Sequence, residues 1–343
     1  MKRLLNTLFV MTQDSYLRKE GETIVVRVGD ETRLRVPVLA ISSIVCFGDV
    51  LMSPSLMGHC AKCGVTISYL SFYGRFLARV MGPTSGNVLL RREQYRISED
   101  QQRSVLIART IIAAKISNCR AVLQRALRDH GEAMASDDIA GVCAALKRSL
   151  DEALIQTDLD RLRGIEGDAA RAYYSVFNEL IRAQKADFTF ADRNRRPPLD
   201  RVNCLLSFIY VMTYHDMRSA LETTGLDPAV GFLHRDRPGR MSLALDLMEE
   251  FRPFLADRLV LSLINLKQVD AKCFEVSSSG AVLLNEKGRK IVVAEYQKRK
   301  QDSLTHPFIG EEMHLGIAMH SQALLLARHI RGDLDGYPAF FWK

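Results

Sequence analysis

The sequence predicts an α+β protein, with a small β-rich domain at the N-terminus and a larger all-helical domain after it. The first 80 or so residues contain short runs of β-branched and aromatic residues between turn residues, a pattern typical of strands. From about residue 87 the apolar residues recur every three or four positions among Ala, Leu, Arg and Glu, which predicts helices. The breaker-rich segment 82–86 separates the two patterns, so we place the domains at residues 1–82 and 87–343.

The elements of the N-terminal domain follow from local patterns. The apolar start up to Val10 predicts a first strand and not a signal peptide, because Asn6 and Thr7 interrupt it and no small-residue cleavage site follows. Residues 23–28 and 32–36 flank Gly29-Asp30 and predict a hairpin. Further strands are predicted at residues 41–47, 65–70 and 76–80, with a short helix at residues 54–63.

In the C-terminal domain one helix can be bounded by its end signals. Ser242 is a suitable N-cap, and the residue before Pro253 is disfavoured in the α region, which predicts a helix over residues 242–251. A charged loop at residues 192–198 interrupts the helical pattern. Beyond residue 266 we expect a short extended stretch and helices over about residues 286–302 and 311–330.

Composition excludes several classes of protein. Apolar residues make up 47% and charged residues 25% of the 343, which excludes disordered, fibrous and disulfide-dense proteins. The chain has no run of about 18 apolar residues, so we expect no contact with a membrane. Seven scattered cysteines suit free thiols in the cytoplasm. The net charge of +7 is a modest indication of a polyanionic partner such as nucleic acid.

Glu166 is the most informative single residue. It lies in a stripe with helical spacing whose other members are apolar, namely Leu159, Leu162, Ala169, Tyr173, Val176 and Leu180. A buried carboxylate needs a cation or full hydrogen bonding, so Glu166 either serves a site or pairs with an arginine at the edge of the stripe. Gly164 and Gly167 weaken this helix and indicate a close approach to its backbone.

A second cluster lies at residues 231–253. Asp246 and Glu249 are three residues apart and share a helix face, and His234 lies just upstream behind the turn Pro238-Gly239. Two carboxylates and an imidazole can bind a divalent metal ion. Four arginines crowd the same segment and favour a phosphate ligand, namely Arg235, Arg237, Arg240 and Arg252. The alternative is a solvated acidic face paired with those arginines, beside a hydrogen-bonded histidine at the end of a strand.

Three further patterns are weaker indications of a functional site. The adjacent pair His215-Asp216 resembles the dyad of HD-type metal phosphohydrolases. Cys60 and Cys63 form one C-x-x-C without a second pair at zinc-site spacing, and no phosphate-loop or dinucleotide motif occurs. The basic residues from Lys287 to Lys300 form either a solvated face or a track for phosphates, and they are Lys287, Arg289, Lys290, Lys298, Arg299 and Lys300.

Three spaced motifs resemble a known family. They are Gly164-Ile165-Glu166-Gly167, residues 225–234 and residues 242–249. Together they resemble the CRISPR-associated integrases that capture new spacers, the first of the two universal adaptation proteins. Residues 4–10, Thr305-His306-Pro307 and the aromatic tail at residues 340–342 look like the variant that accompanies type I-C arrays.

The resemblance implies a catalytic site. Its metal ligands would be Glu166, His234 and Glu249, with Asp246 as an acidic partner and Mg²⁺ or Mn²⁺ as the ion. Glu250 follows Glu249, so which of the two is the ligand stays open, and the three-residue spacing from Asp246 favours Glu249. Tyr214 falls where the family often has a functional tyrosine, and Tyr210 is its competitor.

The resemblance also implies an architecture and an activity. The fold would be a β-sandwich-like dimerisation domain and a helical catalytic domain, in a homodimer bridged by a small second CRISPR adaptation protein. We therefore expect a metal-dependent DNA endonuclease and integrase that inserts foreign fragments of double-stranded DNA into a CRISPR array. The residues expected on DNA are Arg235, Arg237, Arg240, Arg252, Lys287, Arg289 and Lys290. The rival functions are a phosphohydrolase that uses His215 and Asp216, and a helical DNA-binding scaffold without catalysis.

Overall fold

The computed structural model describes residues 7–41, 43–72, 76–80, 82, 88–131 and 135–342. The chain divides into two compact units, Met1–Gly86 and Asn87–Lys343. Strands dominate the first unit and helices the second, so the predicted α+β class is confirmed. Part of the predicted first strand, residues 1–6, and most of the predicted boundary segment, residues 83–86, lie outside the described residues.

The first unit contains two four-stranded sheets. One has the order β1-β5-β7-β8, with β1, β5 and β7 parallel and β8 antiparallel to β7. The other has the order β4-β3-β2-β6, in which β6 runs parallel to β2 and the remaining pairs are antiparallel. Their bounds are β1 Thr7–Val10, β2 Ser15–Glu20, β3 Thr23–Val28, β4 Glu31–Pro37, β5 Ser43–Phe47, β6 Val50–Met52, β7 Thr66–Leu70 and β8 Phe76–Val80.

Both sheets contribute to one apolar core. Leu17 and Ile24 from the second sheet join Ile44 and Ile67 from the first, and helix α1 (Pro54–Lys62) adds Leu56. The predicted hairpin forms as β3 and β4. Strands β2 and β6 were missed, because β2 carries charged residues at three of its six positions and β6 has only three residues.

The second unit is built around a long central helix. Its helices are α2 (Val88–Glu99), α3 (Gln101–His130), α4 (Ser136–Ile155), α5 (Leu159–Ser175), α6 (Arg201–Thr223), α7 (Ser242–Phe251), α8 (Arg258–Asn265), α9 (Glu286–Lys300) and α10 (Leu315–Ile330). Helix α3 buries an almost continuous run of small and β-branched side chains from Ile111 to Ile116, and it packs against α4, α5 and α7. Two short hairpins complete the unit, β9 (Phe274–Val276) with β10 (Val282–Leu284), and β11 (Ser303–Thr305) with β12 (Glu312–His314). None of the helices in the described ranges is long and apolar enough to cross a bilayer.

The end signals predicted for α7 are wrong in detail. Met241 and not Ser242 is the N-cap, and the Ser242 hydroxyl donates to the Arg235 carbonyl at 3.3 Å. Pro253 does not stop the chain from being helical, because residues Arg252–Asp257 form a π-helical turn that leads directly into α8. A wider turn accommodates a proline that lacks the amide hydrogen a regular helix needs. The continuous segment keeps Arg252 and Asp257 beneath the end of α7.

Candidate metal centre

Two carboxylates from different helices converge on one buried ammonium group. Glu166 on α5 and Glu249 on α7 both pair with Lys115 on α3, and the Lys115 Nζ lies 2.6 Å from a carboxylate oxygen of Glu249. The side chains of Lys115 and Glu249 are 8% and 6% exposed, whereas that of Glu166 is 29% exposed. Glu166 therefore lies at the open edge of its apolar stripe, and it pairs with a lysine instead of an arginine.

Arg252 fixes Glu249 from the other side. Its Nη1 donates to both carboxylate oxygens of Glu249, at 2.6 and 2.9 Å. Burial alone would raise the pKa of the Glu249 carboxyl, but Arg252 and Lys115 hold that pKa well below its ordinary value. Glu249 is thus an ionised carboxylate inside the protein, in a fixed orientation.

Asp246 organises the loop that carries His234. This fully buried carboxylate accepts hydrogen bonds from the backbone amides of Phe232, Leu233 and His234, at 2.7–3.0 Å. It also lies 2.6 Å from His234 Nδ1. Gly231 lets the loop pass this close, because a Cβ at that position would lie 2.7 Å from an Asp246 oxygen. With Nδ1 engaged, Nε2 is the nitrogen of His234 that remains for a ligand.

The structure separates Glu249 from Glu250. Glu250 faces away from Lys115 and accepts hydrogen bonds from the Tyr337 hydroxyl, the Gln322 amide and the Phe340 backbone amide, at 2.6–2.9 Å. Burial raises the pKa of its carboxyl to about 7. Glu250 therefore fastens the C-terminal segment to α7, and of the two neighbours only Glu249 faces the cluster.

The donor set suits a hard divalent cation. Carboxylate oxygens and a neutral imidazole nitrogen are ligands for Mg²⁺ and Mn²⁺. In the described ranges no three His, Cys, Asp or Glu side chains already surround one point closely enough to hold an ion. The ammonium of Lys115 takes the position between the two carboxylates.

The close approach expected at Gly164 and Gly167 is not seen among the described residues. Among the described residues nothing lies within 4 Å of a Cβ built at either position. The two glycines leave open space on α5 beside Glu166.

Two tyrosines on α6 have different surroundings. Tyr214 packs edge-on against His215, with ring centroids 5.3 Å apart, and hydrogen-bonds with Arg218. Tyr210 instead lies under Arg252, whose guanidinium carbon is 4.3 Å from the ring centroid, and its hydroxyl donates to buried Asp257. Of the two, Tyr210 is the tyrosine seen in contact with the arginine that holds Glu249.

The predicted DNA-binding residues divide by exposure. Arg235 and Arg237 are exposed, and Arg235 pairs with Asp160 at 2.8 Å. Arg240 is half-buried, and burial together with nearby Arg237 lowers the pKa of its guanidinium. Arg252 is buried against Glu249, so it is not placed to meet DNA.

The basic run on α9 is only partly a surface. Lys287 and Lys290 are exposed, beside Asp270 and Glu286. Arg289 is buried and donates to the Leu284 carbonyl at 2.7 Å, which contradicts its place in an exposed track. Lys300 is also buried, 2.7 Å from Asp216. Arg289 and Lys300 therefore support the fold from inside, and the predicted exposed track does not include them.

The sequence comparison decides the family. The sequence model of the family described as CRISPR associated protein Cas1 matches residues 8–298. This chain belongs to the Cas1 family. A CRISPR-associated endonuclease Cas1 from Chlorobaculum tepidum is 53% identical over 346 residues, and another from Rhodospirillum rubrum is 52% identical over 349. Both alignments cover 100% of this chain and 100% of the relative. The predicted family is confirmed, and its assignment to type I-C stays a prediction.

Solved structures with the Cas1 fold are also similar. A Cas1 protein from Thermotoga maritima superimposes with a TM-score of 0.81 at 24% identity, covering 96% of this chain and 97% of that one. A casposase bound to integration product gives a TM-score of 0.82 at 23% identity, covering 99% and 95%. At these identities the likeness shows the fold alone.

Sequence reasoning missed Lys115. It is the one cation in the apolar run from Ile111 to Ile116, and the argument applied to Glu166 applies to it equally. A charged residue in a buried stripe needs a partner of opposite charge. The same argument would have singled out Lys115 as a second buried charge that needs a partner, but it would not have identified that partner.

Replacing Asp246 tests its role in holding the loop. In Asp246→Asn an amide NH₂ meets backbone and imidazole donors, so we expect the free energy of unfolding to fall by about 2 kcal/mol. Urea unfolding measures this change. The control is Asp236→Asn, an exposed carboxyl in the same loop, which should stay within about 0.5 kcal/mol of the wild type. Equal effects of the two variants would contradict the assignment.

Asp257 predicts a pH dependence of stability. Burial raises the pKa of its carboxyl from 3.8 to about 6, although Tyr210 and Arg252 oppose the rise. The folded chain therefore binds this proton more tightly than the unfolded chain, and the resulting stability is present below about pH 4 and lost as the pH rises through about 6. The wild type therefore loses stability as the pH rises from about 4 to 7, and Asp257→Asn does not. Over this range the free energy of unfolding of Asp257→Asn should rise by about 2 kcal/mol relative to that of the wild type. Urea unfolding at a series of pH values measures this difference. If the free energies of unfolding of the two proteins changed in parallel with pH, the prediction would be contradicted.

Proposed function

We propose that this protein is a metal-dependent DNA endonuclease and integrase that inserts DNA fragments into a CRISPR array. The observation that carries the proposal is the convergence of Glu166 and Glu249 on one cation position, with His234 held by Asp246 in the loop before the same helix. These carboxylates come from α5 and α7, 83 residues apart in the sequence, and both point inward from helices that pack on α3. The endonuclease names of the relatives from Chlorobaculum tepidum and Rhodospirillum rubrum support the activity.

Glu166, Glu249 and the Nε2 of His234 would hold the metal ion. When bound, a hard divalent cation withdraws charge from a phosphodiester oxygen in the transition state. Asp246 fixes the ring orientation of His234 through Nδ1, and Arg252 fixes the carboxylate of Glu249. Both act as positioning residues, since their polar groups contact the proposed ligands and not the substrate. The catalytic role of Tyr214 stays a prediction.

The substrate we propose is double-stranded DNA gripped mainly through its phosphates. Arg237 and Arg240 lie near each other and near Arg196, and their mutual repulsion favours a polyanion over solvent. Lys287 and Lys290 are the exposed cations of α9, and exposed pairs with Asp270 and Glu286 are weak enough to be exchanged for phosphates. A Cas6-RT-Cas1–Cas2 complex is among the structures with this fold, which supports a second adaptation protein as partner.

The two rival functions fit the structure less well. Asp216 of the HD-like pair is engaged by the Tyr296 hydroxyl at 2.8 Å and by the Lys300 ammonium at 2.7 Å. A metal ion there would have to displace a buried lysine and a buried tyrosine. A scaffold without catalysis would not need carboxylates from two helices directed at one point.

The proposed ligands predict a sharp loss of activity. Glu166→Ala, His234→Ala and Glu249→Ala should each abolish metal-dependent strand transfer of a labelled DNA duplex, because each removes a ligand. Circular dichroism should show that the chains still fold. His215→Asn changes the HD-like pair and should retain activity. If Glu166→Ala transferred strands at the wild-type rate, the proposed site would be wrong.

The two exposed lysines of α9 predict a change in salt dependence. Lys287→Ala with Lys290→Ala should weaken binding to unrelated duplexes alike, and it should lower the slope of log affinity against log salt by about two units, since each phosphate contact contributes about 0.9. Fluorescence anisotropy across a salt series measures the slope. Arg240→Ala should instead impair strand transfer more than binding. An unchanged slope in the double variant would show that α9 presents only a solvated face.

The N-terminal unit is the proposed dimerisation domain. It has hairpin edges and exposed apolar side chains, including Leu39 and Leu51, on a unit of fewer than 90 residues. We expect light scattering at micromolar concentration to give the mass of a homodimer. A strict monomer under these conditions would contradict the proposal.

A further inference from the structure

The ammonium group of Lys115 lies between two carboxylates, as a bound cation would. Its ammonium contacts Glu166 and Glu249, while Arg252 holds Glu249 from the opposite side. Two cations thus balance two carboxylates, and the four side chains as a set are neutral. A divalent ion added between the carboxylates would give the set an excess of two positive charges. Such an excess is costly where Glu249 is buried, so one of the existing cations would have to leave.

Of the two cations, Lys115 is the one that can leave. Arg252 is fixed by both oxygens of Glu249 and by the ring of Tyr210 at 4.3 Å. Lys115 is a point charge on a flexible four-carbon stem, and its partner Glu166 lies at the open edge of the cluster, 29% exposed. The ammonium can therefore swing past Glu166 toward solvent without disturbing α3.

We infer that Lys115 is a built-in substitute for the metal ion. In the metal-free chain its ammonium holds Glu166 and Glu249 at the separation that a shared cation requires, and it withdraws when the ion binds. Lys115 is then a positioning residue that stabilises the empty site and competes with the metal. This inference rests on the proposed metal site formed by Glu166, His234 and Glu249.

The first test measures metal binding by the full-length chain. Lys115→Met keeps the length of the side chain and removes the competing charge, so calorimetry should show Mn²⁺ binding at least about tenfold tighter than in the wild type. In EDTA the same variant should melt at a lower temperature, because the two carboxylates then repel each other. Lys147→Met, an exposed lysine paired with Asp151 on α4, should change neither property. An unchanged or weaker Mn²⁺ affinity in Lys115→Met overturns the inference.

The second test uses the wild-type chain and does not depend on the variant folding. Acetylation with an amine-reactive ester, read by mass spectrometry, should leave Lys115 protected in EDTA and labelled in Mn²⁺. Lys300 provides the matched control, because it is buried against Asp216 and should be protected under both conditions. Equal protection of Lys115 with and without Mn²⁺ overturns the inference.

The two hypotheses fail in different ways. If the wild type bound no more Mn²⁺ than Glu166→Ala, the proposed metal site would be wrong, and the inference about Lys115 with it. If the wild type bound Mn²⁺ and Lys115→Met bound it no more tightly, only the role of Lys115 would be wrong.

Discussion

Everything at the candidate site depends on one constraint, which is that buried charges must be matched. Glu249 is almost fully buried at the end of α7, and an isolated carboxylate there would be strongly destabilising. Lys115 from α3 and Arg252 from the π-helical turn meet this need, and Lys115 reaches Glu166 on α5 as well. The same ion pairs that neutralise Glu249 thus fix the relative positions of three chain segments. This packing holds the carboxylate oxygens of Glu166 and Glu249 in defined places, as the proposed metal site requires.

Adjacent residues on α7 face different surroundings. Glu249 faces the charged cluster, whereas Glu250 is surrounded by Tyr337, Gln322 and the backbone of Phe340. Asn118 on α3 adds to the contacts of Glu250 by donating to the Glu250 carbonyl at 2.7 Å, one helical turn from Lys115. The contact between α3 and α7 is therefore fastened twice, once by charge and once by neutral hydrogen bonds. The C-terminal segment buttresses the helix that carries Glu249.

In the loop before α7, a single carboxylate organises the groups around it. Asp246 is fully buried and accepts from three consecutive backbone amides and from His234. Its four hydrogen bonds set the path of the loop and the orientation of the imidazole together. Gly231 permits the close approach, and a side chain there would displace the carboxylate. Asp246 therefore orients both the loop and the imidazole of His234.

The sequence by itself determined the α+β class, the strands rich in β-branched residues, the long helices and the motifs that identify the Cas1 family. It also singled out Glu166, His234, Asp246 and Glu249, because charged residues in apolar or crowded segments need a physical reason. These features depend on residues that are close together in the sequence, so the sequence alone can reveal them. Only the tertiary structure decided that Glu249 and not Glu250 faces the cluster, that Arg289 and Lys300 are internal, and that Lys115 joins two acids lying 51 and 134 residues later in the chain. Those outcomes depend on which helix packs against which, and no periodicity within one helix records its neighbours.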